Sequence, residues 1–363
     1  MKIVTILGTR PEIIRLSLII QKLDQWADQH ILVHTGQNFT PSLSNVFFDE
    51  LGLREPDYRF LEQQQSLAGQ LATMYKELER LFLAEKPDKV LVLGDTNSGL
   101  SAILAERMGI PVFHMEAGNR CFDKNVPEEV NRITIDAVSS VNLPYTKNSK
   151  DNLLMEGIPI KRIYVTGNPI YEVLNHYEAN IRNSTVVKDL KLKKNDYFLV
   201  TVHRAENVDD PERLHGILTG IDQVAKKHKK RVICSLHPRT ASKLEKKTAA
   251  TLSPYVEFHE PFGFFDFVQL EKNAKLVLTD SGTVQEECCI FQVPTVTTRT
   301  TTERPETVEC GSNSLSGVRP EQIFKTATVM LKRKSGWSCP EGYMDPNVSD
   351  KVVKLLLGGI GVV

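Results

Sequence analysis

Three acids stand where a proton could be moved. Asp95 lies in Gly94-Asp95-Thr96-Asn97, Glu116 in His114-Met115-Glu116-Ala117-Gly118-Asn119-Arg120, and Glu128 in Val126-Pro127-Glu128-Glu129-Val130-Asn131-Arg132. The first two follow apolar runs directly and the third opens the next helical pattern, so all three emerge at one rim of a sheet. A helix N-cap would account for each acid alone, Asp95 above all. Together, and beside Arg10 in Gly8-Thr9-Arg10-Pro11-Glu12, they suggest proton transfer next to an anion. In that turn Gly8 permits close backbone approach, Pro11 gives up a donor that a first helical turn does not need, and Arg10 sits beside free amides.

A second set has a different character. His203-Arg204 and His237-Pro238-Arg239 each end an apolar run. With no suitably spaced Cys or carboxylate nearby, two imidazoles and two guanidiniums fit a diphosphate better than zinc. Thr279-Asp280-Ser281-Gly282-Thr283 places a hydroxyl and a glycine at a helix mouth. Backbone amides there can cradle phosphate, and a carboxylate one turn into the helix can reach ribose hydroxyls. Arg299–Glu306 is a dense loop of hydroxyls and charges.

These residues need elements to position them. Lys2–Leu7, Ile31–His34, Lys89–Leu93, Val112–His114, Ile163–Val165, Tyr197–Val202, Arg231–Ser235, Leu276–Leu278 and Thr295–Thr297 read as strands. Pro11–Asp24, Leu67–Ala84, Asn97–Met108, Glu128–Val138, Pro211–Lys227 and Thr283–Phe291 read as helices between them. The alternation predicts an α/β fold, with parallel sheets carrying helices on both faces and ligands beyond the carboxyl ends of the strands. A chain of 363 residues suits two domains. The first series ends near Gly167-Asn168-Pro169, and the polar stretch Glu178–Asp196 precedes a new buried strand. The expected division is 1–170, 171–345 and a C-terminal helix within 346–363 that crosses back onto the first domain.

Composition excludes several classes. Lys+Arg and Asp+Glu are 45 each, without the basic excess of a phosphate-gripping nucleic-acid binder. Hydrophobic residues at 41% and charged residues at 25% describe an ordinary globular chain. The apolar stretches Ile13–Ile20 and Leu355–Val363 fall short of the ~20 residues of a membrane span. With no signal-peptide pattern after Leu7, a cytoplasmic protein that binds no membrane is expected. Six cysteines without a Cys-x-x-Cys pair argue against a disulfide framework or a zinc ribbon, and Cys288-Cys289 reads as buried thiols. Neither Gly-x-Gly-x-x-Gly nor the Gly-x-x-x-x-Gly-Lys loop follows a strand, so nicotinamide binding is not expected.

Taken together, Gly8–Glu12, Gly94-Asp95-Thr96, Glu116-Ala117-Gly118, Pro127-Glu128-Glu129 with Asn131-Arg132, Asp280-Ser281-Gly282 with Gln285-Glu286-Glu287, and Thr302–Glu306 resemble the non-hydrolysing UDP-N-acetylglucosamine 2-epimerase family. The resemblance implies a GT-B-like fold of two Rossmann-like, doubly wound domains with the active site in the cleft between them. It implies reversible inversion at C2 of a UDP-2-acetamido sugar, in which the C2 proton and UDP leave to give a glycal and then re-add. It implies no redox cofactor, no metal and a homodimer. Asp95, Glu116 and Glu128 match the catalytic carboxylates. His203, also assigned to catalysis, would hold the diphosphate with Arg10, Ser281 and Gly282 as charge builds on it. Glu287 matches the ribose-binding glutamate, Phe267 falls in the uracil-contacting segment, and Arg304 matches an arginine at the diphosphate or sugar. Arg15 and His237 complete the expected substrate contacts.

Departures from the family pattern are specific. Gly36-Gln37-Asn38 replaces Gly-Gln-His of the allosteric substrate site, Arg15 replaces a lysine and Thr283 replaces a second glycine. The resemblance therefore does not extend to activation by UDP-N-acetylglucosamine. Phe113–Asp123 with Gly94–Ser98 looks most like the branch that forms UDP-N-acetyl-L-fucosamine from UDP-2-acetamido-2,6-dideoxy-L-talose for capsule or O-antigen. Competing readings are a hydrolysing 2-epimerase, which releases free UDP, a GT-B glycosyltransferase, which exchanges no C2 proton, and a non-catalytic nucleotide-sugar sensor, which needs no trio of acids.

Overall fold

The computed structural model describes residues 1–37, 41–60, 66–244, 251–332 and 336–359. Two six-stranded sheets organise them. The first contains β1 (Lys2–Leu7), β2 (Gln29–His34), β3 (Tyr58–Arg59), β4 (Lys89–Leu93), β5 (Val112–Met115) and β6 (Val141–Leu143), in the order β3-β2-β1-β4-β5-β6. The second contains β7 (Tyr197–Thr201), β8 (Arg231–Ser235), β9 (Val256–His259), β10 (Leu276–Thr279), β11 (Thr295–Thr297) and β12 (Asn313–Leu315), in the order β12-β11-β10-β7-β8-β9. Every neighbouring pair is parallel. The expected doubly wound α/β architecture is thus present twice.

Their apolar runs explain the sheets. β4, β7 and β10 are buried at every position, which requires helices on both faces. One face of the first sheet packs Val4, Ile6, Val90 and Val92 against Met74, Leu78 and Phe82 of the helix Leu67–Glu85. In the second, Phe198, Val200 and Val232 pack against Ile217, Ile221 and Val224 of the helix Pro211–His228. Each such side chain contributes about 1.5–3 kcal/mol on burial. The strand order reverses between β1 and β4, and again between β7 and β10. Those two places are topological switch points, where adjacent connections leave toward opposite faces and open a crevice.

Two compact units result, Met1–His176 with Glu341–Val363, and Tyr177–Pro340. The helix Ile170–His176 belongs to the first unit, and the return comes before residue 346 because the Asn168 amide donates to the Gly342 carbonyl at 2.8 Å. The helix Val348–Leu357 packs on the helix Arg10–Trp26. Lys22 Nζ donates to Ser349 Oγ at 2.7 Å. The wholly buried Lys89 donates to the carbonyls of Leu356 and Gly358, each at 2.7 Å. A cation there complements the negative end of the helix.

Some expected elements differ. Ile163–Val165 forms no strand; Ile163 makes one isolated bridge to Asn142. The expected helix Asn97–Met108 is a 3-10 turn, Asn97–Leu100, followed by the helix Ser101–Arg107. β3, β6, β9 and β12 are additional strands, and all four are sheet edges.

Candidate active site

The first rim is assembled at the β1/β4 switch point. After β1, Thr9 is extended at φ −134° and Pro11 enters the first turn of the helix Arg10–Trp26. Gly8 has no room for a side chain, because a Cβ would stand 2.2 Å from Thr35 Oγ1 and 2.3 Å from Ser98 Oγ. Arg10 lies over the Phe47 ring at 5.7 Å, and burial lowers its proton affinity. Across the switch point, Asp95 follows β4. Its carboxylate accepts from Arg132 Nη2, and its carbonyl accepts from Asn131 Nδ2 at 2.9 Å.

Arg132 is 2% exposed and also donates to Glu129 Oε2 at 2.7 Å. Glu129 in turn accepts the backbone N–H of Cys121 at 3.1 Å and of Phe122 at 2.9 Å. Glu128, half-buried in the first turn of the helix Pro127–Val138, lies one turn before Arg132 on the same helical face. The helix that holds Asp95 therefore also presents Glu128.

Glu116 follows β5 with φ 68°, a left-handed conformation that a non-glycine residue adopts at a cost. Its Oε2 accepts from the buried Arg15, and its Oε1 accepts from Asn119 Nδ2 at 3.3 Å. Arg15 stacks over Tyr145 at 5.9 Å. Beneath lies Asp136, which meets His114 Nδ1 at 2.8 Å, Arg120 Nη2 at 2.7 Å and the Gly118 amide at 3.0 Å. Buried charges paired this way fix the rim, because removing one partner would strand the other.

The second rim forms at the β7/β10 switch point around Asp280, which is wholly buried. Its carboxylate accepts the backbone N–H of His203 at 3.0 Å and of Arg204 at 2.9 Å, and Asn207 Nδ2 at 3.1 Å. Burial still pushes its proton affinity up. His203 and His237 rings lie 5.5 Å apart at 34°. His237 Nδ1 accepts the Arg239 amide at 3.2 Å, so this histidine also caps the helix Pro238–Lys243.

Ser281 is the N-cap of the helix Gly282–Phe291. A Cβ on Gly282 would stand 2.9 Å from Glu303 Oε1 and 3.4 Å from Arg304 Cζ, so a side chain there would have to displace the ends of Glu303 and Arg304. Glu303 accepts from Arg204 and Arg299, each at 2.8 Å, and Arg304 pairs with Glu286. Phe267 is half-buried on the helix Phe264–Asn273, against a core cluster that includes Leu270 and Val284. Glu287 is buried beside Glu271. Burial and that neighbouring carboxylate hold Glu271 well above the usual carboxylate range.

Three acids thus line the rim of one parallel sheet, and histidines, arginines and a helix mouth line the rim of the other. Residues 21–357 match the family described as UDP-N-acetylglucosamine 2-epimerase. The UDP-N-acetylglucosamine 2-epimerase of Methanocaldococcus jannaschii is 42% identical over 372 residues, covering 99% of this chain and 100% of that protein. The chain belongs to the UDP-N-acetylglucosamine 2-epimerase family. The crystal structure of the Methanocaldococcus jannaschii enzyme in complex with UDP-GlcNAc and UDP superposes with a TM-score of 0.93 over 98% of this chain and 99% of that one. The UDP-2,3-diacetamido-2,3-dideoxy-D-glucuronate 2-epimerase of Pseudomonas aeruginosa is 38% identical over 335 residues, 91% of this chain and 92% of that protein. The fold is therefore the GT-B-like fold of these epimerases, and the chain is an epimerase acting at C2 of a UDP-sugar.

Within this epimerase, the structure gathers Arg10, Arg15, Asp95, Glu116 and Glu128 in the first unit, and His203, His237, Ser281, Gly282, Glu287 and Arg304 in the second, with Phe267 half-packed into the core. Arg15 supplies a buried cation to Glu116. Of the departure Gly36-Gln37-Asn38, Asn38 lies outside the described residues. Sequence reasoning gave no part to Glu12, Glu129, Arg132, Asp280 or Glu303. Their signal was present in the quoted motifs as charged residues within about four positions of the assigned ones, but Glu12, Arg132, Asp280 and Glu303 each have a partner far along the chain. Among the described residues no cluster of His, Cys, Asp and Glu could hold a metal, and no helix is long and apolar enough to cross a membrane.

Proposed function

We propose that this epimerase inverts C2 of a UDP-2-acetamido-2-deoxy sugar without hydrolysis, with UDP-N-acetylglucosamine and UDP-N-acetylmannosamine as the exchanging pair. The acid rim carries the reading: Asp95 and Glu116 are each held by a buried arginine, and Glu128 stands on the helix that holds Asp95. No carbonyl acidifies C2–H, so loss of the proton must accompany departure of UDP. One carboxylate takes the C2 proton as the C1–O bond breaks and its electron pair leaves with UDP, giving a C1=C2 glycal. A carboxylate on the other face then returns a proton to C2 while the UDP oxygen adds back to C1. Each tenfold in rate needs about 1.4 kcal/mol of transition-state stabilisation. Arg10, His203, Ser281 and Gly282 supply it by holding the diphosphate as its charge grows. Glu287 takes the ribose, Phe267 the uracil, and Arg15, His237 and Arg304 complete the substrate contacts.

The pair is supported by the 42% and 41% identical relatives named UDP-N-acetylglucosamine 2-epimerase. A second reading, the 6-deoxy-L-talo sugar nucleotide, is favoured by the segment Phe113–Asp123. The same reading carries a cytoplasmic homodimer serving surface polysaccharide synthesis, and light scattering tests the dimer. Proton NMR in deuterated water, with UDP-N-acetylglucosamine and no added metal or nicotinamide, tests the chemistry. UDP-N-acetylmannosamine deuterated at C2 is expected. Stoichiometric free UDP with N-acetylmannosamine would identify a hydrolysing enzyme. No exchange with UDP still bound would move the assignment to the 6-deoxy sugar.

A further inference from the structure

The chemistry proposed for the first rim leaves Glu12 without a part, yet Glu12 is a buried acid there with three donors. Its carboxylate is 1% exposed. Oε2 accepts the Gly8 amide at 3.0 Å and Thr9 Oγ1 at 2.7 Å. Oε1 accepts Thr96 Oγ1 at 2.9 Å. Burial lifts the carboxyl to about 7 despite these donors.

A cap for its own helix would need only the first two bonds. The third reaches 84 residues along the chain, to the neighbour of Asp95. The two ends of the tether are the turn after β1, which carries Arg10, and the turn after β4, which carries Asp95. They face each other across the switch point, where β1 and β4 pair in register but their connections diverge. Among the described residues, no backbone hydrogen bond joins the two turns themselves. A hydrogen bond of this kind contributes about 0.5–1.5 kcal/mol, and it adds a link to the β1 turn that the Arg132 and Asn131 contacts of the Asp95 turn do not supply.

We propose that Glu12 is a positioning residue that locks the Arg10 turn to the Asp95 turn, so that the diphosphate-holding cation and the proton-moving acid keep a fixed separation. The proposal rests on the C2-epimerase reading. Thr96→Val removes only the cross-turn bond, whereas Glu12→Ala removes all three. In Glu12→Gln the carbonyl still accepts from Gly8 and Thr9 while the amide donates to Thr96 Oγ1, so the tether survives.

The test uses the full chain, UDP-N-acetylglucosamine for C2 deuterium exchange, and UDP for calorimetry and amide exchange. T96V should lose turnover by about tenfold to a hundredfold, the scale of a misplaced catalytic group, with UDP affinity and the thermal midpoint held. E12Q should recover most of what E12A loses. Independently of turnover, UDP should slow amide exchange in both turns, 8–12 and 94–98, of the wild-type protein, and only in 8–12 of T96V. Equal protection of both turns in T96V, or T96V turnover equal to wild type, overturns the proposal alone. Protection of neither turn in the wild-type protein overturns with it the proposed assignment of the Arg10 and Asp95 turns to the UDP-sugar site.

Discussion

The two rims use the same strand-end geometry for opposite purposes. In the first unit, Asp95 and Glu116 lie at strand ends and their carboxylates meet arginine side chains. In the second, the carboxylate of Asp280 is wholly buried and takes two backbone amides and the Asn207 side chain. An acid paired with guanidinium can still trade a proton with a ligand, whereas an acid occupied by backbone shapes a turn. The difference teaches that acids at strand ends must be sorted by what they accept from, since their sequence positions are alike.

That contrast can be tested by removing one side at a time. Asp95→Asn and Glu128→Gln should each lower C2 exchange by about 10²–10⁴-fold while UDP affinity by calorimetry stays within twofold of wild type; near-wild-type turnover in both would remove the acid rim from the mechanism. Asp280→Ala should instead cost about 3 kcal/mol or more of stability, because three donors lose their acceptor in a dry site. Urea denaturation reads this, and an unchanged midpoint would show that Asp280 is not a scaffold.

Glu12 tests where the boundary between the two kinds of acid lies. Its carboxyl is raised from 4.5 to about 7 in the folded chain, so the native state binds the proton more tightly than the unfolded state. Stability from this group is present below pH 4.5 and lost as pH rises to 7. The ionisation cost reaches about 3 kcal/mol above that. Relative to Glu12→Gln, which has no such slope, the wild-type protein should therefore be less stable at pH 8 than at pH 5 by about 2–3 kcal/mol. Parallel pH profiles for the two would contradict the raised value. The smallest effect belongs to His203→Ala, for which calorimetry should show UDP affinity about tenfold weaker, the loss of roughly 1.4 kcal/mol. Unchanged affinity would take His203 out of the diphosphate site.

The interior of each sheet was legible from the chain because β1, β4, β7 and β10 are short runs dominated by apolar residues, as burial on two faces demands. The edges were not. Tyr58–Arg59, Val141–Leu143, Val256–His259 and Asn313–Leu315 pair on one side only and carry Arg, Asn, Glu and Ser among their few residues. Ile163–Val165 misled in the reverse sense: its β-branched residues suit a strand, but only Ile163 finds a partner. The assigned acids were legible from spacing, since strand ends of such sheets face ligands. Their arginine partners were not, because Arg15 and Glu116 lie 101 residues apart and Asp95 and Arg132 lie 37 apart. Local pattern carries no record of such pairs.

The Lys89 clamp on the last helix has a consequence for the order of events in biosynthesis. The first unit gains its final helix, Val348–Leu357, only after the whole of Tyr177–Pro340 has been translated. Until then the Lys89 ammonium, destined for complete burial, has no carbonyls of Leu356 and Gly358 to receive it. The nascent chain therefore carries an open flank on its earliest-made part while its middle part matures, and the N-terminal unit closes last.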